Sequence, residues 1–501
     1  MDLLLGLDVG TTATKAQLFD LEGNVIASAT YPYGLITPRE GWVEQDPEEL
    51  WRAVVTTSRS VLGRIGRGDR VVALSQSSQA GTTIPVNADG TPTYNAISWM
   101  DQRGDAQARH IKERWGADFI YNTTGWTLQS GLPLQHIGWF RQNYPQEFLE
   151  TRRFLFVNDF IMQQLTDRTF MNPSDASITQ LMNVATGDWD ERLLESVGIT
   201  REQVSPMLPS GCAVGALTLA GSTATGLPQD VLMVNGAHDQ YCAAVGTGVI
   251  RPGAVLLSCG TAWVILAVPE SLEVGLRSGM AISCHAIEGR WGAIRSLGGV
   301  GASLEWFLDH IWTDRREQAK REALYDAVNR AAARSPPGAS GLLFYPLAGG
   351  HLTTVGTRRG GFIRLTLSHS RADMARAVME GIAFQLRWAM EEMRENGIHV
   401  SEFKMVGGAA ESEVWPQIVA DVTGIPVILP ARRQAATRGA AILAGVGAGL
   451  FADAEAGFGA FRGKATHLMP VPENRNRYDD LFPVYRDIAR FLAGRVRMQD
   501  E

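Results

Sequence analysis

Hydrophobic positions come in short runs broken by glycine and turn residues, the signature of strands. Between the runs, apolar residues recur at three- and four-residue intervals, the signature of helices. The first run, Leu3-Leu4-Leu5-Gly6-Leu7-Asp8-Val9, passes through Gly10-Thr11-Thr12 into a second run reaching Lys15, which predicts a β-hairpin. The pattern returns about 250 residues later, the kind of self-similarity that marks related halves. There Gly253 to Leu266 repeats it, with Gly260-Thr261 answering Gly10-Thr11 and Ser258 standing where Asp8 stood. Asp46-Pro47-Glu48-Glu49 is a helix start, with a capping Asp, Pro at the first position and acids in the first turn. That helix is expected to run to about Gly63. From Ser370 to Asn396, Met374, Ala377, Val378, Ile382, Leu386, Ala389, Met390 and Met393 trace one helical face, and Gly397 supplies a stop. Two more strands open into small residues. Val231 to Gly236 leads to Asp239, with a helix expected from Tyr241. Phe403 to Val406 leads to Gly407-Gly408, with a helix expected through Trp415 and Ile418. Strands alternating with helices predict mixed α/β domains.

A chain of 501 residues, 45% hydrophobic, exceeds what one core usually supports and points to two domains, with a junction near the turn Val249 to Gly253. The cut is placed between residues 246 and 247. Ser335-Pro336-Pro337-Gly338 reads as a loop. A net charge of −7 argues against a nucleic-acid binder, which needs a basic face. The four cysteines, Cys212, Cys242, Cys259 and Cys284, lack CxxC spacing, read as small hydrophobes and suit a reducing compartment. There is no basic leader and no apolar run of membrane-spanning length, so no membrane partner is expected and the cytoplasm is the expected location.

The turn of the first hairpin has the composition of a phosphate cradle: glycine lets the backbone approach an anion, and hydroxyls and N–H groups donate to it. Asp8 repels a phosphate, so its place there points to the Mg²⁺ that accompanies a nucleotide. A plain hairpin with Asp and Thr capping its turn would use the same residues. Asp239, at a strand's end, is placed to accept a proton from a hydroxyl beside a phosphoryl donor. It reads equally as an ordinary helix cap. His238 receives no role, because adjacent helical positions face different ways. Gly407-Gly408 offers room for a base or ribose, or merely a tight turn. No P-loop is present, since Phe458 stands where the loop containing Gly463-Lys464 needs its first glycine.

Together these segments resemble the FGGY carbohydrate kinases of the actin and sugar-kinase ATPase superfamily. The match is carried along nearly the whole chain by Gly6 to Thr12, Trp42-Val43-Glu44-Gln45-Asp46-Pro47, Trp99-Met100-Asp101-Gln102-Arg103, Pro173-Ser174-Asp175-Ala176-Ser177, Gly236-Ala237-His238-Asp239, Gly260-Thr261, Arg371 to Phe384, and Gly407-Gly408-Ala409. The resemblance implies an α/β fold of two ribonuclease H-like domains with a cleft between them. It implies ATP and Mg²⁺ in that cleft, transfer of the γ-phosphoryl to a small sugar, and room for a homodimer. By the same resemblance Asp239 is the catalytic base and Asp8 the metal carboxylate. Gly10, Thr11, Thr12, Lys15, Gly260, Thr261, Gly407, Gly408 and Ser412 bind ATP, while Gln79, Trp99, Asp101 and Gln240 bind the acceptor.

Within that family the chain resembles the xylulose kinases, and a ketopentose such as xylulose is the expected acceptor. Kinases for ribulose, glycerol or gluconate, and a non-catalytic nucleotide-gated sugar sensor, are the alternatives. The chain departs from xylulose kinases in three places. Their Gly-Gln-Met-His-Gly is replaced by Leu74 to Thr83, with Gln79 assigned to the histidine's place and Ser78 or Ala80 falling there under a one-residue slip. Their Gly-Glu-Arg-x-Pro becomes Ala348-Gly349-Gly350-His351-Leu352-Thr353. Arg364 stands where glycine is common. Polar groups at the first of these positions select the acceptor.

Overall fold

A computed structural model describes residues 1–312, 321–349, 360–430, 434–461 and 463–496. The chain forms two compact units. The first comprises Met1–Ile250, Pro269–Ala293 and Gln434–Gly463; the second comprises Arg251–Val268, Ile294–Arg433 and Lys464–Glu501. A single cut after residue 246 was the sequence expectation, whereas these units interleave along the chain. Among the described residues no helix is long and apolar enough to cross a membrane.

The first unit is built on β1 (Asp2–Val9), β2 (Ala13–Phe19), β3 (Val25–Pro32), α1 (Pro47–Leu62), β4 (Arg70–Ser78), α2 (Pro173–Ile178), β5 (Ala213–Ala216), β6 (Leu232–His238) and α3 (Asp239–Thr247). Its sheet has the spatial order β5-β6-β4-β1-β2-β3. Strands β1 and β2 form the expected antiparallel hairpin. Strands β1, β4 and β6 run parallel, so their carboxyl ends share one edge, where α/β sheets commonly bind ligands. Register completes the placement: Asp8 lies opposite Ser77, and Ser78 lies opposite both Val9 and His238. Alternate residues Leu3, Leu5, Leu7 and Val9 of β1 join Leu50, Val54 and Val61 of α1 in one buried cluster. Helix α1 begins as expected, with Asp46 accepting from the Glu48 N–H at 2.9 Å, and ends at Gly63.

Two glycines of the motifs, Gly6 and Gly236, are packing residues. A Cβ on Gly6 would lie 2.0 Å from the Thr437 carbonyl oxygen, and one on Gly236 would lie 1.6 Å from that of Gln76. The helix Ala435–Gly447 packs on β1, β4 and α3. It is allowed to do so by Gly6 and by Gly439, whose Cβ would lie 1.8 Å from the Cys242 carbonyl oxygen. At the β6–α3 junction Asp239 is the first residue of the helix and not its cap. His238 occupies the cap position with extended backbone, φ −52° and ψ 143°.

The second unit carries β7 (Gly253–Cys259), β8 (Trp263–Ala267), α4 (Arg371–Glu395), β9 (Val400–Val406), α5 (Trp415–Thr423), β10 (Val427–Leu429) and β11 (Thr466–Leu468). These strands lie in the order β8-β7-β9-β10-β11, with β7 antiparallel to β8 and parallel to β9. The second hairpin is therefore present, and its Ser258 pairs in register with Val406. Helix α4 starts in a capping box between Ser370 and Asp373. It is buried around nearly its whole middle, beyond the single face expected. The charged Arg376 and Glu380 that this buries meet at 2.7 Å, and Tyr478 donates to Glu380 at 2.7 Å. Gly407-Gly408 leads into a 3-10 turn, Gly408–Glu411, before α5 begins. Arg364 has φ +67°, a left-handed conformation that glycine adopts without strain and arginine does not. Of the altered segment Ala348 to Thr353, residues 350–353 lie outside the described residues.

Candidate active site

Three parallel strand ends in the first unit converge on a group of carboxylates and hydroxyls. Asp8 accepts a hydrogen bond from Ser77 Oγ at 2.8 Å and has Lys15 Nζ 3.7 Å from its other oxygen. From α2, Asp175 receives Asn172 Nδ2 at 2.7 Å and Ser78 Oγ at 3.3 Å. The Ser174 hydroxyl of the same helix donates to Asn172 at 2.6 Å and accepts the His238 backbone N–H at 3.0 Å. His238 Nε2 lies 3.0 Å from Asp239 Oδ1. The reasoning that gave His238 no role applies inside a helix; at the extended cap position its ring folds over the residue that follows.

The charges in this group are mutually dependent. Burial pushes the Asp8 carboxyl above its ordinary pKa, Lys15 pulls it back, and the negative charge of Asp239 raises it again. Burial likewise raises Asp175 to about 7, against the opposing pull of His238. Burial disfavours a protonated His238, yet Asp239 and then Asp175 outweigh it and leave the ring more basic than usual. Asp8 and Asp239, assigned from separate motifs, thus stand close enough to repel each other.

Beside this group the first hairpin turn is tied to the acceptor-side residues. Trp99, 45% exposed, donates its indole N–H to Thr11 Oγ1 at 3.0 Å. Gln45 donates to the Thr11 carbonyl at 2.8 Å, and Gln79 donates to Gln45 at 2.9 Å. Gln79 is buried and points into this chain of amides. Gln240 is half-buried, one residue beyond Asp239. Asp101 differs from the others. Its carboxylate accepts from the Val43 N–H at 2.6 Å and from the Arg103 N–H and Nε at 2.7 and 2.8 Å, with no exposed side-chain surface. Arg103 also lies 2.8 Å from Glu44 and stacks on Trp42 at 3.9 Å. Asp101 therefore fixes the loop that presents Trp99.

The remaining assigned residues meet in the second unit. A cavity of about 450 Å³ is lined by Gly260 and Thr261 from the β7–β8 turn and by Gly408 and Ser412 beyond β9. Two motifs far apart in sequence thereby share one space. Its wall includes Trp263 and Trp415, whose rings lie 5.3 Å apart and whose indole N–H groups are buried without a partner. Ser412 Oγ donates to Asn329 at 2.7 Å and accepts from the Trp415 N–H at 3.0 Å, capping α5. Gly407 is held by its conformation, φ +91°, with no room for a Cβ against the Cys259 carbonyl 2.7 Å away.

These residues fit a nucleotide and a magnesium ion. The cavity has the size, glycine floor and aromatic wall that suit adenosine. Among the described residues no group of three or more acidic, His or Cys side chains is arranged to hold a metal ion. Mg²⁺, however, is usually bound by one or two carboxylates completed by phosphate and water, and a buried Asp8 destabilised by Asp239 is relieved by a cation.

Parallel strands that end on a buried carboxylate group, and a hairpin-lined cavity with unpaired donors, define the class: an α/β phosphotransferase of the sugar-kinase type. The family model "FGGY family of carbohydrate kinases, N-terminal domain" matches residues 3–246 and its C-terminal counterpart matches residues 255–448. The chain belongs to the FGGY family of carbohydrate kinases. It is 28% identical over 505 residues to a gluconokinase of Bacillus subtilis, covering 98% of this chain and 96% of that protein. To a xylulose kinase of Staphylococcus epidermidis it is 30% identical over 492 residues, covering 98% and 97%. The structure of a gluconate kinase from Lactobacillus acidophilus superposes with a TM-score of 0.87 at 26% identity, covering 98% of each chain.

The serines of β4 and the residues Asp175 and His238 were not assigned a role from sequence. The segment holding Asp175 stood out as a motif, but only the packing of α2 beside β6 shows what its carboxylate faces.

Proposed function

We propose that this kinase transfers the γ-phosphoryl group of ATP to a hydroxyl of a small neutral sugar, a ketopentose such as xylulose. The observation that carries the reading is the group Asp8, Asp175 and Asp239 at one strand edge, coupled to one another, with Lys15 and His238 as its cations. Asp239 is the proposed base for the acceptor hydroxyl, and the likeness to xylulose kinases supports a ketopentose as the acceptor.

In this mechanism the acceptor hydroxyl gives its proton to Asp239, its oxygen forms the new bond to phosphorus, and the bond from phosphorus to the departing diphosphate oxygen breaks. Trp99 covers the apolar face of the sugar and Gln240 contacts its hydroxyls, while the buried Gln79 acts through Gln45, which it holds against the Thr11 turn. Gly10, Thr11, Thr12, Lys15, Gly260 and Thr261 are the proposed donors to phosphate oxygens. Gly408 and Ser412 hold the adenosine in the cavity. Asp8 is the residue that would hold Mg²⁺, which when bound neutralises charge on the phosphates. Asp101 works through Arg103 and the backbone, keeping the Trp99 loop in place.

Coupled ADP release measured over xylulose, ribulose, glycerol and gluconate tests the reading. Xylulose is expected to give the highest kcat/KM. Gluconate ahead of every neutral sugar would overturn the ketopentose assignment, and no stimulation by any acceptor would overturn the kinase mechanism.

A further inference from the structure

The Asp239 side chain is 34% exposed, yet its Oδ1 is buried. The accessible part of the carboxylate therefore lies on the Oδ2 side. Oδ1 lies 3.0 Å from His238 Nε2, an ion-pair contact outside hydrogen-bond alignment, and the His238 side chain is only 9% exposed. The ring has no partner at its buried Nδ1, and the residue that carries it is held through its backbone. Its backbone N–H is anchored on Ser174 Oγ, which is anchored on Asn172. The same Asn172 fixes Asp175, whose charge acts on the imidazole from α2. Tyr241, one turn further into α3, lies 5.6 Å from the ring, ring centre to ring centre. The cap position makes this possible, since only an extended residue between β6 and α3 can turn its side chain back over the first helical residue.

We infer that His238 is a positioning residue for the phosphoryl transfer: it pins Oδ1 of Asp239 and so turns Oδ2 toward the acceptor hydroxyl. The inference rests on Asp239 being the proton acceptor. Asp175 and Asn172 form the buttress behind it, which accounts for a buried carboxylate that touches no assigned site residue except through His238 and Ser78. A base that can rotate takes the proton in only a fraction of encounters, and the loss falls on kcat while ground-state binding is untouched.

Three variants of His238 and one of Asp239 test this by steady-state kinetics with xylulose, and with each acceptor that supports turnover, while ADP binding measured by calorimetry confirms a folded protein. His238→Ala is expected to lower kcat about 10- to 100-fold, with KM for ATP and acceptor within about threefold. His238→Gln, whose amide N–H reaches the place of Nε2, is expected to restore most of kcat. His238→Asn, one bond shorter, is expected to remain slow. Equal kcat in the Gln and Asn variants overturns the positioning role, as does a rise in acceptor KM at unchanged kcat, which would make His238 a binding residue. Asp239→Asn separates the two claims. If it turns over like the wild type, the base assignment itself fails; if it is inert while His238→Ala keeps full kcat, only the role of His238 falls.

Discussion

Replacing Arg103 by Met probes whether Asp101 serves the fold or the sugar. The guanidinium has no exposed surface and lies 2.8 Å from both Asp101 and Glu44, with the Trp42 ring 3.9 Å beneath it. Met fills similar volume but leaves two buried carboxylates facing each other without a cation. Breaking a buried pair by removing one partner costs about 3–5 kcal/mol, and the lost cation–π contact adds about 1 kcal/mol. For a unit of this size each kcal/mol lowers the thermal midpoint by roughly 2–4 °C, so the first transition is expected to fall by roughly 8–24 °C in calorimetry. The triple variant Arg103→Met, Asp101→Asn, Glu44→Gln is expected to recover much of that loss, because a neutral buried set carries no unpaired charge. A drop below about 1 kcal/mol in Arg103→Met would refute the reasoning, as would failure of the triple variant to recover. In the folded triple variant the acceptor KM is expected to stay near that of the wild type; a large rise would return Asp101 to the sugar site.

Three further outcomes follow from the geometry. Gly408→Val puts a branched side chain into the adenosine cavity from a position with open space, its nearest neighbour 4.0 Å away; nucleotide affinity by calorimetry is expected to fall at least about tenfold with the melting point unchanged, and unaltered affinity would remove the cavity from the account. Gly6→Ala forces the helix Ala435–Gly447 off β1 and is expected to cost about 3 kcal/mol in a denaturant titration, whereas a cost under about 0.5 kcal/mol would contradict the packing. Asp159, buried between Ser205 and the Phe156 N–H, has a folded pKa of about 7 against the ordinary 3.8. The stability it contributes is present below pH 4 and is lost as pH rises through 7. Asp159→Asn is therefore expected to melt level with the wild type at pH 4 and below, and roughly 9–18 °C above it at pH 8; equal profiles would refute the shift.

The local parts of the fold were readable because their causes are local. The hairpins at Gly10 and Gly260, the cap at Asp46 and the long helix after Ser370 each depend on residues within a few positions of one another. What escaped depends on partners distant in sequence. Gly6 reads as one more position in an apolar run until Thr437 is seen against it. Asp101 reads as a sugar contact until Arg103 and Val43 are seen to consume its carboxylate. His238 was set aside by a rule about helical neighbours that fails at a cap, where the backbone is still extended. The interleaving of the two units was hidden for the same reason, since residues 434–463 carry no composition that assigns them to the first unit.

The central claim is that Asp239 takes the proton from the acceptor. ADP release by Asp239→Asn, with nucleotide affinity measured on the same preparation, tests it most directly. The account predicts ATP binding close to that of the wild type and kcat lower by about 10²–10⁴. Turnover within about tenfold of the wild type, with binding intact, would contradict it.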